Sequence, residues 1–125
     1  MGGALQPSPF HLGIVERMDC AHHLDGHGLC EANHGHTYKV EVLAQGPCAD
    51  GKPLDHLTLH TMTWACLSRY DHQDLNALLP LSTCENLSQA IFDEMKVHLP
   101  FLRCVRVWEG HGKWAEALDD VRRSL

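Results

Sequence analysis

The chain has 125 residues, 44% of them hydrophobic and 21% charged, with a formal charge of −6. That composition suits one soluble domain with a modest core, not a disordered chain, so 1–125 reads as a single domain with 1–9 as a loose lead. The acidic balance argues against non-specific nucleic-acid binding, and no apolar run is long enough for a membrane helix.

Residues 1–9 lack the basic start and apolar centre of a signal peptide, so a cytoplasmic protein is expected. The six cysteines stand at 20, 30, 48, 66, 84 and 104. They form no Cys-x-x-Cys clip, and most are expected to be reduced, several of them buried.

In chain order, residues 10–22 read as a first strand. Phe10, Leu12, Ile14, Met18, Cys20 and His22 share one parity there, interrupted by Glu16. Residues 23–33 form a loop, with Gly26 and Gly28 allowing tight turns. A second strand follows over 34–45, with His36, Tyr38, Val40 and Val42 inward and Lys39 and Glu41 outward. Gln45 to Pro53 is a connection marked by Gly46-Pro47 and Asp50-Gly51. A helix is predicted over 55–70, with Leu59, Met62, Cys66 and Tyr70 as its apolar stripe. Residues 71–83 are irregular, and a second helix runs over 84–98 with Leu87, Ile91, Met95 and Leu99 inward, stopped by Pro100. A third strand at 102–109 sets Val105, Val107 and Glu109 on one face, and a short fourth lies within 113–119. The pattern is α+β: an antiparallel four-stranded sheet with two helices on one face.

The stretch Cys20–Tyr38 packs five His (22, 23, 27, 34 and 36) and two Cys (20 and 30) together. His34 and His36 lie two apart on a strand and so project the same way. His22 ends the apolar face of the first strand. Antiparallel pairing would bring the three imidazoles to one rim of the core. Three neutral imidazoles with an open fourth position is the arrangement of catalytic zinc. A solvated, His-rich loop is the other reading of the same residues.

Longer motifs are more specific. Ala21-His22, then Cys30-x-x-x-His34-Gly-His36, resembles the signature of the 6-pyruvoyl-tetrahydropterin synthase and 6-carboxy-tetrahydropterin synthase family. Tyr70-Asp71-His72 with Leu75-Asn76, Thr83-Cys84-Glu85-Asn86-Leu87, and Val105-x-Val107-x-Glu109 resemble further family segments in the right order. The resemblance runs from about Phe10 to Ala117, and the Cys-to-His-Gly-His element discriminates best. It implies a tunnelling fold whose subunits join their sheets into a barrel, as a homohexamer made of two trimers.

The resemblance also implies roles. Zn2+ would sit on His22, His34 and His36. Cys30 would be the proton-abstracting base, a thiol that a nearby cation would make more acidic. A buried, inert cysteine is the alternative. Asp71 and His72 would be the catalytic pair, working with a Cys across a subunit boundary; from the residues alone, a turn Asp beside a surface His reads equally well. Glu109 would anchor the 2-amino and N3 hydrogens of a pterin, a use that suits a carboxylate costly to bury without donors. Thr83 and Glu85 would belong to the pterin pocket, although Ser82-x-x-Glu85 also reads as a capping box.

The implied activity is a zinc-dependent lyase on 7,8-dihydroneopterin triphosphate. The short loop between His22 and Cys30 resembles the 6-carboxy branch, which releases triphosphate and acetaldehyde on the way to queuosine. The 6-pyruvoyl product, or a folate-pathway cleavage using Glu31, is the alternative within enzymes. A noncatalytic zinc-binding module is the alternative outside them. Glu31 is otherwise a loop charge. A triphosphate needs local cations, and Arg17, Lys39, Arg103, Arg106 and Lys113 are the candidates. Met18, Cys20, His56, Tyr70, Ser82, Gly110 and Ala117 depart from the family pattern, and these departures bear on the pocket's shape.

Overall fold

Alternating side chains build four long strands, and 3.6-residue periodicity builds two helices, as the chain pattern requires. The computed structural model describes residues 10–24, 34–46, 48–49, 52–53 and 55–119. Its elements are β1 (Leu12–His22), β2 (His34–Ala44), β3 (Cys48–Ala49), β4 (Lys52–Pro53), α1 (His56–Leu67), α2 (Cys84–Lys96), β5 (Leu102–Glu109) and β6 (Lys113–Leu118). A single 3-10 turn, Leu75–Ala77, lies between the helices.

The main sheet has the order β1-β2-β5-β6, antiparallel throughout. Helix α1 lies against β1, and α2 against β5 and β6. The core between the layers takes Met18 and Cys20 from β1, Tyr38, Val40 and Val42 from β2, and Val105 and Val107 from β5. Leu59 and Leu67 of α1 and Leu87, Ile91 and Met95 of α2 close it from above. This is the expected α+β fold, an antiparallel four-stranded sheet with two helices. The outer face is polar and aromatic: Lys39 stands 4.5 Å over the Trp108 ring, and Arg106 4.6 Å over Trp114.

Several boundaries differ from the sequence reading. Phe10 lies before β1 and is exposed, so the apolar face begins at Leu12. The connection after β2 contains a two-residue ladder, β3 with β4. Helix α1 stops at Leu67, not Tyr70. Tyr70 is reached by a turn in which its N–H donates to the Leu67 carbonyl at 2.9 Å, and its side chain still closes the core. Helix α2 ends at Lys96, whose ammonium donates to the Pro100 carbonyl at 2.6 Å.

The capping box at Ser82-x-x-Glu85 is a correction. The N-cap of α2 is Thr83, whose hydroxyl accepts from Asn86 N–H at 3.2 Å. Ser82 is instead buried, and Glu85 is an exposed acid in the first turn, favourably placed toward the helix dipole.

Candidate active site

The register of β1 and β2 sets the centre. His22 lies opposite His34 and Cys20 opposite His36, so the ends of both apolar faces meet at one rim of the core. The His22 and His36 rings stand edge to face, 5.0 Å between centroids. Glu109, the last residue of β5, completes a group of three whose ligand atoms lie within 4.8 Å of one another. Its Oε1 is 3.1 Å from His36 Nε2 and 3.9 Å from His22 Nε2. His34 is placed by its backbone opposite His22 and two residues from His36, while its side chain lies outside the described residues.

The surroundings fix the His22 ring. Its Nδ1 meets the Ser82 carbonyl at 2.8 Å. A carbonyl can only accept, so Nδ1 carries the hydrogen and Nε2 presents its lone pair toward His36 and Glu109. Asn76 fixes the backbone of the next residue, His23, at both its N–H and its carbonyl. Its Oδ1 accepts from His23 N–H at 2.8 Å, and its amide donates to the His23 carbonyl at 3.0 Å. Two imidazoles beside a carboxylate, one ring already locked in the binding tautomer, is a donor set that fits zinc.

Tyr38 forms the floor, its ring 6.2 Å from that of His22 and 5.7 Å from that of His36. It is fully buried and its hydroxyl finds no hydrogen-bond partner among the described residues. Burial, then the Glu109 charge, pushes the phenol well above its ordinary pKa.

Asp71 and His72 do touch: Asp71 Oδ2 is 2.9 Å from His72 Nδ1. The segment carrying them docks on the outer edge of β1. Asp19 N–H donates to Asp71 Oδ1 at 3.0 Å, His72 N–H to the Asp19 carbonyl at 2.6 Å, and Ala21 N–H to the Gln73 carbonyl at 3.0 Å. Both Asp71 oxygens are thereby engaged, and the Asp19 bond holds its carboxyl below the usual carboxylate range. His72 adopts φ 60°, a left-handed conformation that costs about 1–2 kcal/mol outside glycine. Its side chain is 76% exposed.

Thr83 sits at the start of α2 as the helix cap, and Glu85 one turn in is exposed. Cys30 and Glu31 lie outside the described residues. Cys20, Cys66, Cys84 and Cys104 are ordinary core thiols. Burial pushes Cys20 up to about 12, and Cys66, Cys84 and Cys104 each to about 11. Sequence reasoning missed the roles of Asn76 and Ser82. The Leu75-Asn76 motif pointed at the first, but the Ser82 carbonyl, a main-chain group, carries no sequence signal.

An antiparallel sheet under two helices, with a His-His-carboxylate rim, defines an α+β protein with a candidate metal centre. Residues 12–119 match the 6-pyruvoyl tetrahydropterin synthase family, and the chain belongs to it. A protein of Archaeoglobus fulgidus, provisionally named a 6-carboxy-5,6,7,8-tetrahydropterin synthase, is 35% identical over 106 residues, covering 84% of this chain and 92% of that one. A dihydroneopterin monophosphate aldolase of Pyrococcus furiosus is 31% identical over 84 residues, 65% of this chain and 74% of that one. Among solved structures, 6-pyruvoyl tetrahydropterin synthase of Caenorhabditis elegans superposes with a TM-score of 0.79 at 21% identity, over 92% of this chain and 99% of that one.

Proposed function

We propose that the protein is a zinc-dependent 6-carboxy-5,6,7,8-tetrahydropterin synthase. Its substrate would be 7,8-dihydroneopterin triphosphate, and it would release triphosphate and acetaldehyde in a route to queuosine and related deazapurines. The observation that carries the reading is the pairing of buried His22 with half-buried His36 at one rim of the core, with Glu109 beside them. The 35% identical archaeal relative supports the choice of product.

His22, His34 and His36 would hold the zinc; His34 shares the parity of His36 and faces His22 across the ladder. A zinc ion on these residues would supply Lewis-acid polarisation of the substrate's side-chain oxygens, making the neighbouring carbon–hydrogen bond more acidic. Cys30 would take that proton as thiolate. His72, its Nδ1 against Asp71, keeps Nε2 available to move protons on the opposite side of the substrate. Glu109 would receive the 2-amino and N3 hydrogens of the pterin, with Thr83 and Glu85 bordering the ring. For the triphosphate, Lys39, Arg103 and Arg106 are already paired with Glu41, Asp119 and Glu116. Arg17 and Lys113 make no ion pair among the described residues and are the cations we assign to it.

The exposed His72 and the open edges of the sheet support a homohexamer built as a dimer of trimers, with sheets joined into a barrel. The outer edges of β6 and of Leu12–Met18 in β1 are the ones such a barrel would pair. No helix of the described residues is long and apolar enough to cross a membrane, and the proposed location is the cytoplasm. A second reading, side-chain cleavage of a dihydroneopterin using Glu31, takes support from the Pyrococcus furiosus relative. Incubating zinc-loaded protein with the triphosphate substrate tests the proposal. Release of inorganic triphosphate is the expected result, and its absence at full zinc occupancy refutes the synthase reading.

A further inference from the structure

Asp19 belongs to none of the roles assigned so far, yet three groups converge on it. Its N–H donates to Asp71 Oδ1 at 3.0 Å and its carbonyl accepts from His72 N–H at 2.6 Å. Its carboxylate Oδ1 accepts from the Thr37 hydroxyl at 2.6 Å. Thr37 is its cross-strand partner and directly follows His36. The ligand atoms of Asp19, Asp71 and His72 lie within 4.8 Å of one another. All of this borders an open cleft of about 440 Å³ lined by Asp19, His36, Thr37 and His72 among others.

We propose that Asp19, held in place by the Thr37 hydroxyl, is a positioning residue for His72, fixing the hydrogen on Nδ1 and leaving Nε2 as the working nitrogen. The inference rests on the reading above in which Asp71 and His72 move protons. One carboxylate beside an exposed imidazole holds it weakly, because solvent competes for the same hydrogen. A second negative charge in the same group, its ligand atom within 4.8 Å of those of Asp71 and His72, adds to the hold that the Asp71 carboxylate has on the hydrogen at Nδ1. The Asp19 carboxylate does this only while it is kept from rotating into Asp71's place, and the Thr37 bond prevents that rotation. The main-chain bonds from Asp19 hold His72 in its left-handed conformation and survive substitution of the Asp19 side chain.

The test uses zinc-loaded protein and four variants: Asp19→Asn, Thr37→Val, Thr37→Ser and His72→Ala. Steady-state turnover of 7,8-dihydroneopterin triphosphate is measured alongside the His72 ring tautomer, read from long-range proton–nitrogen NMR correlations. Asp19→Asn and Thr37→Val are each expected to lose roughly 10-fold in kcat, as loss of an orienting partner does, with little change in KM. Both should show a mixed His72 tautomer, while Thr37→Ser, which keeps the hydroxyl, should match wild type in both readouts. Added to His72→Ala, neither substitution should cost anything further, since residues acting as a unit are not additive. Asp19→Asn keeps the test valid should Thr37→Val disturb the neighbouring His36. A wild-type tautomer in Asp19→Asn overturns the inference, as does its full kcat loss persisting in the His72→Ala background. Wild type without any turnover sinks the pterin reading instead, and the tautomer spectra still decide the role of Asp19.

Discussion

Replacing Glu109 by Gln separates ring binding from metal binding. The amide has the carboxylate's shape, and its carbonyl oxygen can occupy the place that Oε1 holds 3.1 Å from His36 Nε2. What changes is the second oxygen, which becomes an NH2 facing a ring hydrogen, so one hydrogen bond turns repulsive and the charge assistance is lost. A hydrogen bond to a charged group contributes about 1.5–3 kcal/mol, which corresponds to a loss of roughly one to two orders of magnitude in affinity. Glu109 is 16% exposed at the end of β5, so most of that loss should be realised rather than screened. Titration with a nonreactive pterin, sepiapterin or biopterin, provides the assay. Zinc content and melting temperature should stay near wild type if three imidazoles hold the ion. Unchanged pterin affinity would reduce Glu109 to a strand-end residue. Loss of zinc would make it a ligand of the metal, a role its 3.9 Å distance to His22 Nε2 also permits.

Other expectations concern the metal and the thiols. The protein should bind about one zinc per chain, and His34→Ala or His36→Ala should each lose most of it by metal analysis, since three ligands cannot spare one; near-full occupancy would mean the trio is wrong. Cys30→Ala should keep fold and zinc while losing about 100- to 10,000-fold in turnover, and wild-type rates would shift the base role to Glu31 or water. Cys20, Cys66, Cys84 and Cys104, with thiols at about 11 to 12, should resist alkylation of the native protein at neutral pH, and labelling should be fast at Cys30. Mass mapping that finds rapid labelling at any of those four would contradict the burial described here.

The elements that could be read from the sequence are those whose signal is local. Alternation in Tyr38-Val40-Val42 and in Val105-Val107-Glu109 set the faces of β2 and β5, because a strand with one buried face must alternate. The Leu87-Ile91-Met95 stripe did the same for α2. The same parity puts His22 and His36 on the core side of their strands. What could not be read depends on partners far along the chain. The docking of Tyr70–Asp74 on the β1 edge runs through main-chain bonds to Asp19 and Ala21, which leave no pattern in side-chain type. Helix α1 ended early because the chain must turn at Ser68 to reach that edge, although Tyr70 continues the apolar spacing. At α2, Ser82 and Thr83 are both good caps by type. Burial of Ser82, with its hydroxyl toward the His23 carbonyl and Asn76 Oδ1, left the cap to Thr83.

The central claim is that this fold holds a pterin lyase, and one measurement addresses it most directly. Zinc-loaded protein is incubated with 7,8-dihydroneopterin triphosphate, and the pterin product is identified by mass spectrometry. The expected product is 6-carboxy-5,6,7,8-tetrahydropterin, with acetaldehyde and triphosphate released alongside it. A 6-pyruvoyl product would place the chain in the other branch of its family, and a 6-hydroxymethyl product would move the chemistry to Glu31. Unchanged substrate at full zinc occupancy would contradict the claim.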